Sequence, residues 1–251
     1  MSSVRVEFEG SVAVVTLDRP PANAMDAASL NELADVFDRL ASDADADAEA
    51  TAVVLTGEGR SFSAGLDLRA IQQSGPSHQE DLIEALNRAF LAVYSCPRLV
   101  VGSVNGHAIA GGLVLALCCD VRLVADVALK VGLSEVRVGV PYPVGAIEVV
   151  RHELTPPVAR RLVLGGELIG AHEAVALGVL DRVVPAADLL AVALAAARDH
   201  RPLVGYARIK AQLRKPAIEA TQAALGGRDP LPRPWLTDET FAAAAAALRR
   251  A

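Results

Sequence analysis

The sequence predicts an α/β fold, on three observations. Two short aliphatic runs, Ala52–Gly57 (A-V-V-L-T-G) and Leu99–Val104 (L-V-V-G-S-V), read as strands buried on both faces. Each leads into a loop of glycines and other small residues, S-F-S-A-G-L-D-L over 61–68 and N-G-H-A-I-A-G-G over 105–112. Each loop then runs into an apolar stretch of helical character. Two stacked strand–loop–helix units of this kind bring two loops together at one edge of a sheet.

Length and composition narrow the function classes. A chain of 251 residues allows one large domain, or one domain with an appendage. A hydrophobic fraction of 52% supplies a generous core, with apolar surface left over for contacts between subunits. The net charge of −6 and the lack of a basic cluster argue against a nucleic-acid partner. Nothing at the N-terminus reads as a signal peptide, and the longest apolar run, Ala108 to Cys119, is too short and glycine-rich to span a bilayer. Three cysteines, two of them adjacent in an apolar helix, suit reduced thiols in a cytoplasmic protein. The histidines are scattered and no CxxC or HExxH spacing occurs, so no metal site is expected.

In chain order, Val4 to Leu17 reads as a hairpin turning at Glu9-Gly10, and the prolines at 20 and 21 end it. Asp26 opens a helix with Leu30, Leu33, Ala34, Phe37 and Leu40 on one face. The alternating acidic run Asp43 to Glu49 is expected to be a solvated linker. Residues 72–80 are polar and turn-rich and suggest a mobile rim. Asp81 to Tyr94 is an amphipathic helix stopped at Cys96-Pro97. After the second glycine loop come a helix over Leu113 to Cys119, a strand at Val121 to Val124, a Pro141/Pro143 bend and three short helices. From Asp188 onward alanine and leucine dominate, and the remainder is expected to be helical apart from a proline-rich break at 230–234. This divides the chain into a core at 1–187 and a helical, oligomerising region at 188–251.

The loop at 105–112 is the most informative stretch. Glycine lets backbone approach a ligand closely, and the helix that follows presents unpaired N–H groups. Such a site suits an anion, or an oxygen that becomes anionic during a reaction. A phosphate loop is excluded, because Gly112 and Leu113 stand where Lys and a hydroxyl belong. The alternative is a helix packed so tightly that only glycine fits.

Five ordered motifs carry a family resemblance: F-S-A-G-L-D-L (Phe62 to Leu68), N-G-H-A-I-A-G-G (Asn105 to Gly112), Cys119-Asp120, G-L-S-E-V-R-V-G-V-P (Gly132 to Pro141) and A-x-E-A-x-x-L-G-V-L-D-R-V-V-P (Ala171 to Pro185). Over residues 4 to about 190 the chain resembles the crotonase superfamily of enoyl-CoA hydratases and isomerases. The resemblance implies a spiral of ββα repeats with a C-terminal helical region, assembled as a trimer or a dimer of trimers. It implies an acyl-CoA thioester substrate, with coenzyme A belonging to the substrate and no separate cofactor. It also implies that the N–H groups of Leu66 and Gly111 form an oxyanion hole. The neighbours Ala22, Ala24, Ser63, Ala64, Gly65, Asp67, Leu68, Gly112 and Ser134 would then line the substrate path. For Asp67, a charge at a helix N-terminus is the plainer role.

Departures from the family pattern bear on the reaction. The hydratases use two glutamates. The first, in the helix after the glycine loop, falls on Val114 and is missing. The second falls on Glu135 and is present. A carboxylate among Gly132, Leu133, Val136 and Val138 is expected to have a raised pKa, as suits a base that must return its proton. One base is enough to move a double bond from position 3 to position 2, so the pattern resembles the single-glutamate Δ3,Δ2-enoyl-CoA isomerases. Hydratase is the alternative, and a non-catalytic acyl-CoA-binding member a further one. A serine hydrolase is excluded because Ser61 and Ser63 lie out of frame for G-x-S-x-G. His107 beside the loop reads as solvent-facing or supporting.

Overall fold

The computed structural model describes residues 2–42, 50–74, 77–199 and 203–248. The acidic run at 43–49 lies outside the described residues. Strands β1 (Val4–Glu9) and β2 (Val12–Leu17) form the expected hairpin. Helix α1 (Ala27–Ala41) starts at Asp26, whose side chain accepts from the Ser29 N–H while the Ser29 hydroxyl accepts from the Asp26 N–H. This reciprocal cap pairs two orphan donors and fixes where the helix begins. Then follow β3 (Ala52–Gly57), β4 (Ser61–Ser63), α2 (Leu68–Ser74), α3 (Ser77–Ser95), β5 (Leu99–Val104), β6 (His107–Ile109) and α4 (Gly111–Leu117). The second half contains β7 (Val121–Ala125), β8 (Val131–Gly132), a 3-10 turn at Glu135–Arg137, α5 (Val144–Glu153) and α6 (Pro156–Ala159), which runs into a π turn. It closes with β9 (Leu168–Ile169), α7 (Ala171–Ala176), β10 (Arg182–Val184), α8 (Leu189–Asp199), α9 (Tyr206–Ala224) and α10 (Asp238–Leu248).

Two sheets result. The larger has the order β1-β2-β3-β5-β7-β10 and is parallel except for the opening hairpin. The smaller has the order β4-β6-β8-β9 and is parallel except for β9. Alternation along the central strands explains their all-apolar sequence. Ala13, Val15, Val53, Leu55 and Val100 face the main core with α1 and α3. Val12, Val14, Ala52, Val54, Leu99 and Val101 face the other way, onto Leu189, Ala193 and Ala197 of α8.

Three local expectations need correction. The described residues of the polar stretch at 72–80 are helical, because 72–74 finish α2 and 77–80 open α3. The reason lies far along the chain. Gln79 is buried and exchanges hydrogen bonds with the Leu236 backbone at 2.9 and 3.0 Å, and Glu80 pairs with Arg233. Polar residues that look loop-like are therefore clamped into a helix by the C-terminal segment. The helix expected at Leu113–Cys119 starts and ends two residues earlier. The tail also departs from helix over residues 225–237, wider than the proline-rich break alone, and there it buries Trp235 and Leu236.

α9 is tied to the core by buried charge. Asp120 accepts from Lys210 Nζ at 2.7 Å and lies 3.1 Å from Arg214 Nη1; both cations are buried and Asp120 is mostly so. Cys96, Cys118 and Cys119 are free and buried, and burial pushes all three thiols up. Among the described residues no helix is long and apolar enough to cross a membrane.

Candidate active site

The two glycine loops meet as expected. Met25 forms an isolated bridge with Leu66, its N–H donating to Gly65 O at 2.7 Å and its carbonyl accepting from the Asp67 N–H at 2.9 Å. The Ala64 N–H donates to Ala22 O at 3.0 Å. Buried Asn23 braces the same junction, its Nδ2 donating to Glu58 O and Ser61 O at 3.0 and 2.8 Å. The chain at 22–25 is thus stitched along the first loop.

The first loop then lies against the second. A Cβ on Gly112 would come within 2.2 Å of Ser63 O, so backbone contacts backbone there. The close-packing reading of the glycine pair therefore holds for Gly112, while Gly111 lies on a cavity wall, where an added Cβ would meet the flexible end of Met25 at 2.9 Å rather than backbone. Among the described residues, neither the Leu66 nor the Gly111 N–H has an acceptor within the protein. Both residues line the cavity, which has a volume of about 790 Å³.

Its walls come from six parts of the chain. Ala22, Ala24, Ala64, Leu66, Asp67, Leu68, Gly111, Val114, Ser134 and Glu135 are all there, as the sequence suggests. Ser63, Gly65 and Gly112 are not on the wall. Ser63 is fully buried behind it, its hydroxyl donating to Asn23 O at 2.8 Å. Asp67 caps α2, with Oδ1 accepting from the Ala70 N–H at 3.0 Å and Oδ2 lying 2.9 Å from Arg19. Burial pushes its carboxyl up, but the Ala70 N–H and the Arg19 guanidinium outweigh that and hold it below the usual range. His107 is half-buried in β6 and accepts from the Lys130 N–H at 3.0 Å.

Glu135 opens the 3-10 turn after β8 and is 8% exposed. Burial raises its carboxyl from 4.5 to about 7, against the lowering effect of a hydrogen bond from Tyr142. The Tyr142 hydroxyl donates to Glu135 Oε2 at 2.6 Å. Burial and the neighbouring carboxylate push the Tyr142 phenol well above its usual range, so it remains the donor. Val114 is fully buried and shares the cavity with this pair.

Sequence reasoning missed Tyr142, because the chain between it and Glu135 is a 3-10 turn followed by a proline-flanked bend and not one continuous helix. It also missed the far wall, where Leu86, Phe90, Trp235, Phe241 and Ala244 join Val114, Val138 and Val140. The P-Y-P bend was a visible signal for Tyr142, since two flanking prolines hold a side chain in a narrow range of directions. Trp235 and Phe241 carried no comparable signal.

The two-sheet spiral with its helical C-terminal part is a crotonase-like fold. The chain belongs to the enoyl-CoA hydratase/isomerase family, whose model matches residues 7–229. It is similar to a putative enoyl-CoA hydratase of Thermus thermophilus, with 37% identity over 200 residues, covering 78% of this chain and 76% of that protein. A carnitinyl-CoA dehydratase of Escherichia coli K12 is 32% identical over 189 residues, covering 75% and 70%. Among solved structures, human mitochondrial Δ3-Δ2-enoyl-CoA isomerase superposes with a TM-score of 0.87 at 27% identity, covering 99% of this chain and 97% of that one. A probable enoyl-CoA hydratase of Mycobacterium tuberculosis superposes with a TM-score of 0.80 at 25% identity, covering 98% and 96%.

Proposed function

We propose that this family member is a Δ3,Δ2-enoyl-CoA isomerase in which Glu135 alone moves the proton. One observation carries the reading. Of the two carboxylates on the described cavity wall, Asp67 is committed to Arg19 and to the start of α2, which leaves Glu135 as the one base facing the apolar space. The wall position of Val114 supports it, because a valine in place of the first glutamate of the hydratases holds no water against the substrate.

The chemistry runs through an enolate. The thioester oxygen accepts from the Leu66 and Gly111 N–H groups, each donor worth roughly 3–4 kcal/mol to the developing charge. Glu135 takes a proton from C2, and the electron pair spreads through a dienolate. The proton then returns at C4, leaving the double bond between C2 and C3. A carboxyl titrating at about 7 is matched to both halves of that transfer. Ala22, Ala24, Ala64 and Leu68 offer the coenzyme A portion a surface of small and apolar side chains. Assembly as a trimer belongs to the same reading. The outward Ile209 and Leu213 of α9, 65% and 76% exposed, favour a subunit contact, and light scattering tests it.

The similarity to the Thermus enoyl-CoA hydratase favours hydration as the second reading. A paired assay separates the two: isomerisation of a 3-enoyl-CoA against hydration of a 2-enoyl-CoA, on wild type and Glu135→Gln. Isomerisation should dominate in wild type and fall at least ~10²-fold in the variant. Hydration faster than isomerisation would remove the isomerase assignment.

A further inference from the structure

We infer that Tyr142 is the positioning residue of the Glu135 base: its hydroxyl holds Oε2, so that Oε1 alone meets the substrate. The inference rests on Glu135 being the base, and it adds how that base is aimed.

The geometry is over-determined. The Val140 N–H donates to Glu135 O at 3.1 Å, closing the loop between the two residues. The Trp235 indole N–H donates to Pro141 O at 2.8 Å on one side of Tyr142. On the other side, the Val144 N–H donates to Asp229 at 2.9 Å and the Gly145 N–H to Asn87 at 2.8 Å. Three anchors from α3 and the C-terminal segment therefore fix the bend that carries the phenol. The hydroxyl that this bend carries points at the one carboxylate that faces the apolar space.

Among the described residues, no other charge competes for that carboxylate. Arg137, on the same turn, lays its side chain over Gly166. Arg161 in the adjoining π turn pairs with Glu167 and Glu173, and Glu148 of α5 pairs with Arg151. Asp238 and Glu239 of α10 are exposed, Arg19 and Asp67 neutralise each other, and Arg69 completes the charged residues of the wall. Among the described residues, Tyr142 and the Glu135 backbone N–H are the groups that favour its ionisation.

Two consequences follow for the reaction. The phenol favours the ionised carboxylate before proton removal. After Oε1 has taken the proton from C2, the phenol donates to Oε2 as the carbonyl oxygen of a neutral acid. The proton then stays on the oxygen that faces the dienolate and returns to C4. The C2–H bond breaks, the C4–H bond forms, and nothing is oxidised or reduced.

The test replaces Tyr142 by Phe in the full chain, with a melting curve as control. Infrared titration of the Glu135 carboxyl, assigned with Glu135→Gln, should move to higher pH in Tyr142→Phe. The acid limb of kcat should move with it, with kcat near pH 7 down about tenfold and KM nearly unchanged. Deuterium carried from C2 to C4 of a labelled 3-enoyl-CoA should fall in favour of exchange with solvent. Difluorotyrosine at 142, a stronger donor in the same ring, should shift the carboxyl the opposite way. An unchanged titration midpoint in both variants would overturn the proposal, even if wild type isomerises. A shifted midpoint in a protein that only hydrates would uphold it and remove the isomerase reading instead.

Discussion

Gly65 and Gly111 stand so close that a Cβ on Gly65 would lie 3.2 Å from the Gly111 nitrogen and 2.9 Å from Ile109 O. Gly65 also has φ +81°, where an L side chain is strained. The two loops thus hold the Leu66 and Gly111 N–H groups at a separation that one methyl group would disturb. Gly65→Ala is expected to cost about 1–3 kcal/mol in urea unfolding. It is also expected to lower kcat by ~10²-fold through the misplaced donors. A variant that is destabilised but turns over at the wild-type rate would show that the donors tolerate the shift.

How much of this was legible in the sequence depended on the range of the interactions. The glycine loops, the missing acid at 114 and Glu135 are written in contiguous motifs, because backbone conformation and short-range spacing determine them. Asp26 and its helix were readable for the same reason. Tyr142 was not, since its role depends on a bend whose anchors, Asn87, Asp229 and Trp235, lie 58 to 94 residues from the positions they hold. The helix start at Ser77 was hidden likewise, because Gln79 and Glu80 find their partners only at Leu236 and Arg233. Gly112 was half legible: tight packing and ligand approach both predict glycine, and only the 2.2 Å clearance to Ser63 O assigns it to packing.

Asp120 supplies the counter-charge for two buried cations, Lys210 and Arg214, and accepts from the Val100 N–H at 2.7 Å. The Arg214 guanidinium also stacks 4.0 Å from the Tyr94 ring centroid. Asp120→Asn keeps the shape but leaves two cations without that anion, which is expected to cost about 3–5 kcal/mol. Thermal unfolding should show this loss, with α9 protected less against hydrogen exchange than α3. A loss below 1 kcal/mol would mean that Glu153, 3.6 Å from Arg214, is a sufficient counter-ion.

Val114→Glu is expected to create hydration where wild type has little. The new carboxylate would sit one turn into α4 on the cavity wall, the position from which a water can be held against C3. Val114 is fully buried, so an ionised acid there is costly and a melting temperature several degrees lower should accompany the gain. The measurement is the ratio of hydration to isomerisation in the two proteins. An unchanged ratio in a folded variant would show that Val114 does not set the reaction.

The Glu135 carboxyl makes stability depend on pH in a direction opposite to that of a salt-bridged acid. Burial lifts it from 4.5 to about 7 in the folded state, while in the unfolded chain it titrates near the ordinary value. Between those values the native protein keeps a proton that the unfolded chain has released. Stability therefore falls as pH rises through the window from about 4.5 to 7, and above it the folded state carries the full penalty of a buried anion. The difference corresponds to roughly 3 kcal/mol. Glu135→Gln has no proton to lose, so it should unfold at nearly the wild-type urea concentration at pH 5 and at a clearly higher one at pH 8. Its activity should be lost at both. A stability gap of the same size at the two pH values would mean that amide packing, rather than the buried charge, separates the proteins. A gap that opens between pH 5 and 8 would show that the site gives up folding stability to keep an ionisable base in a dry cavity.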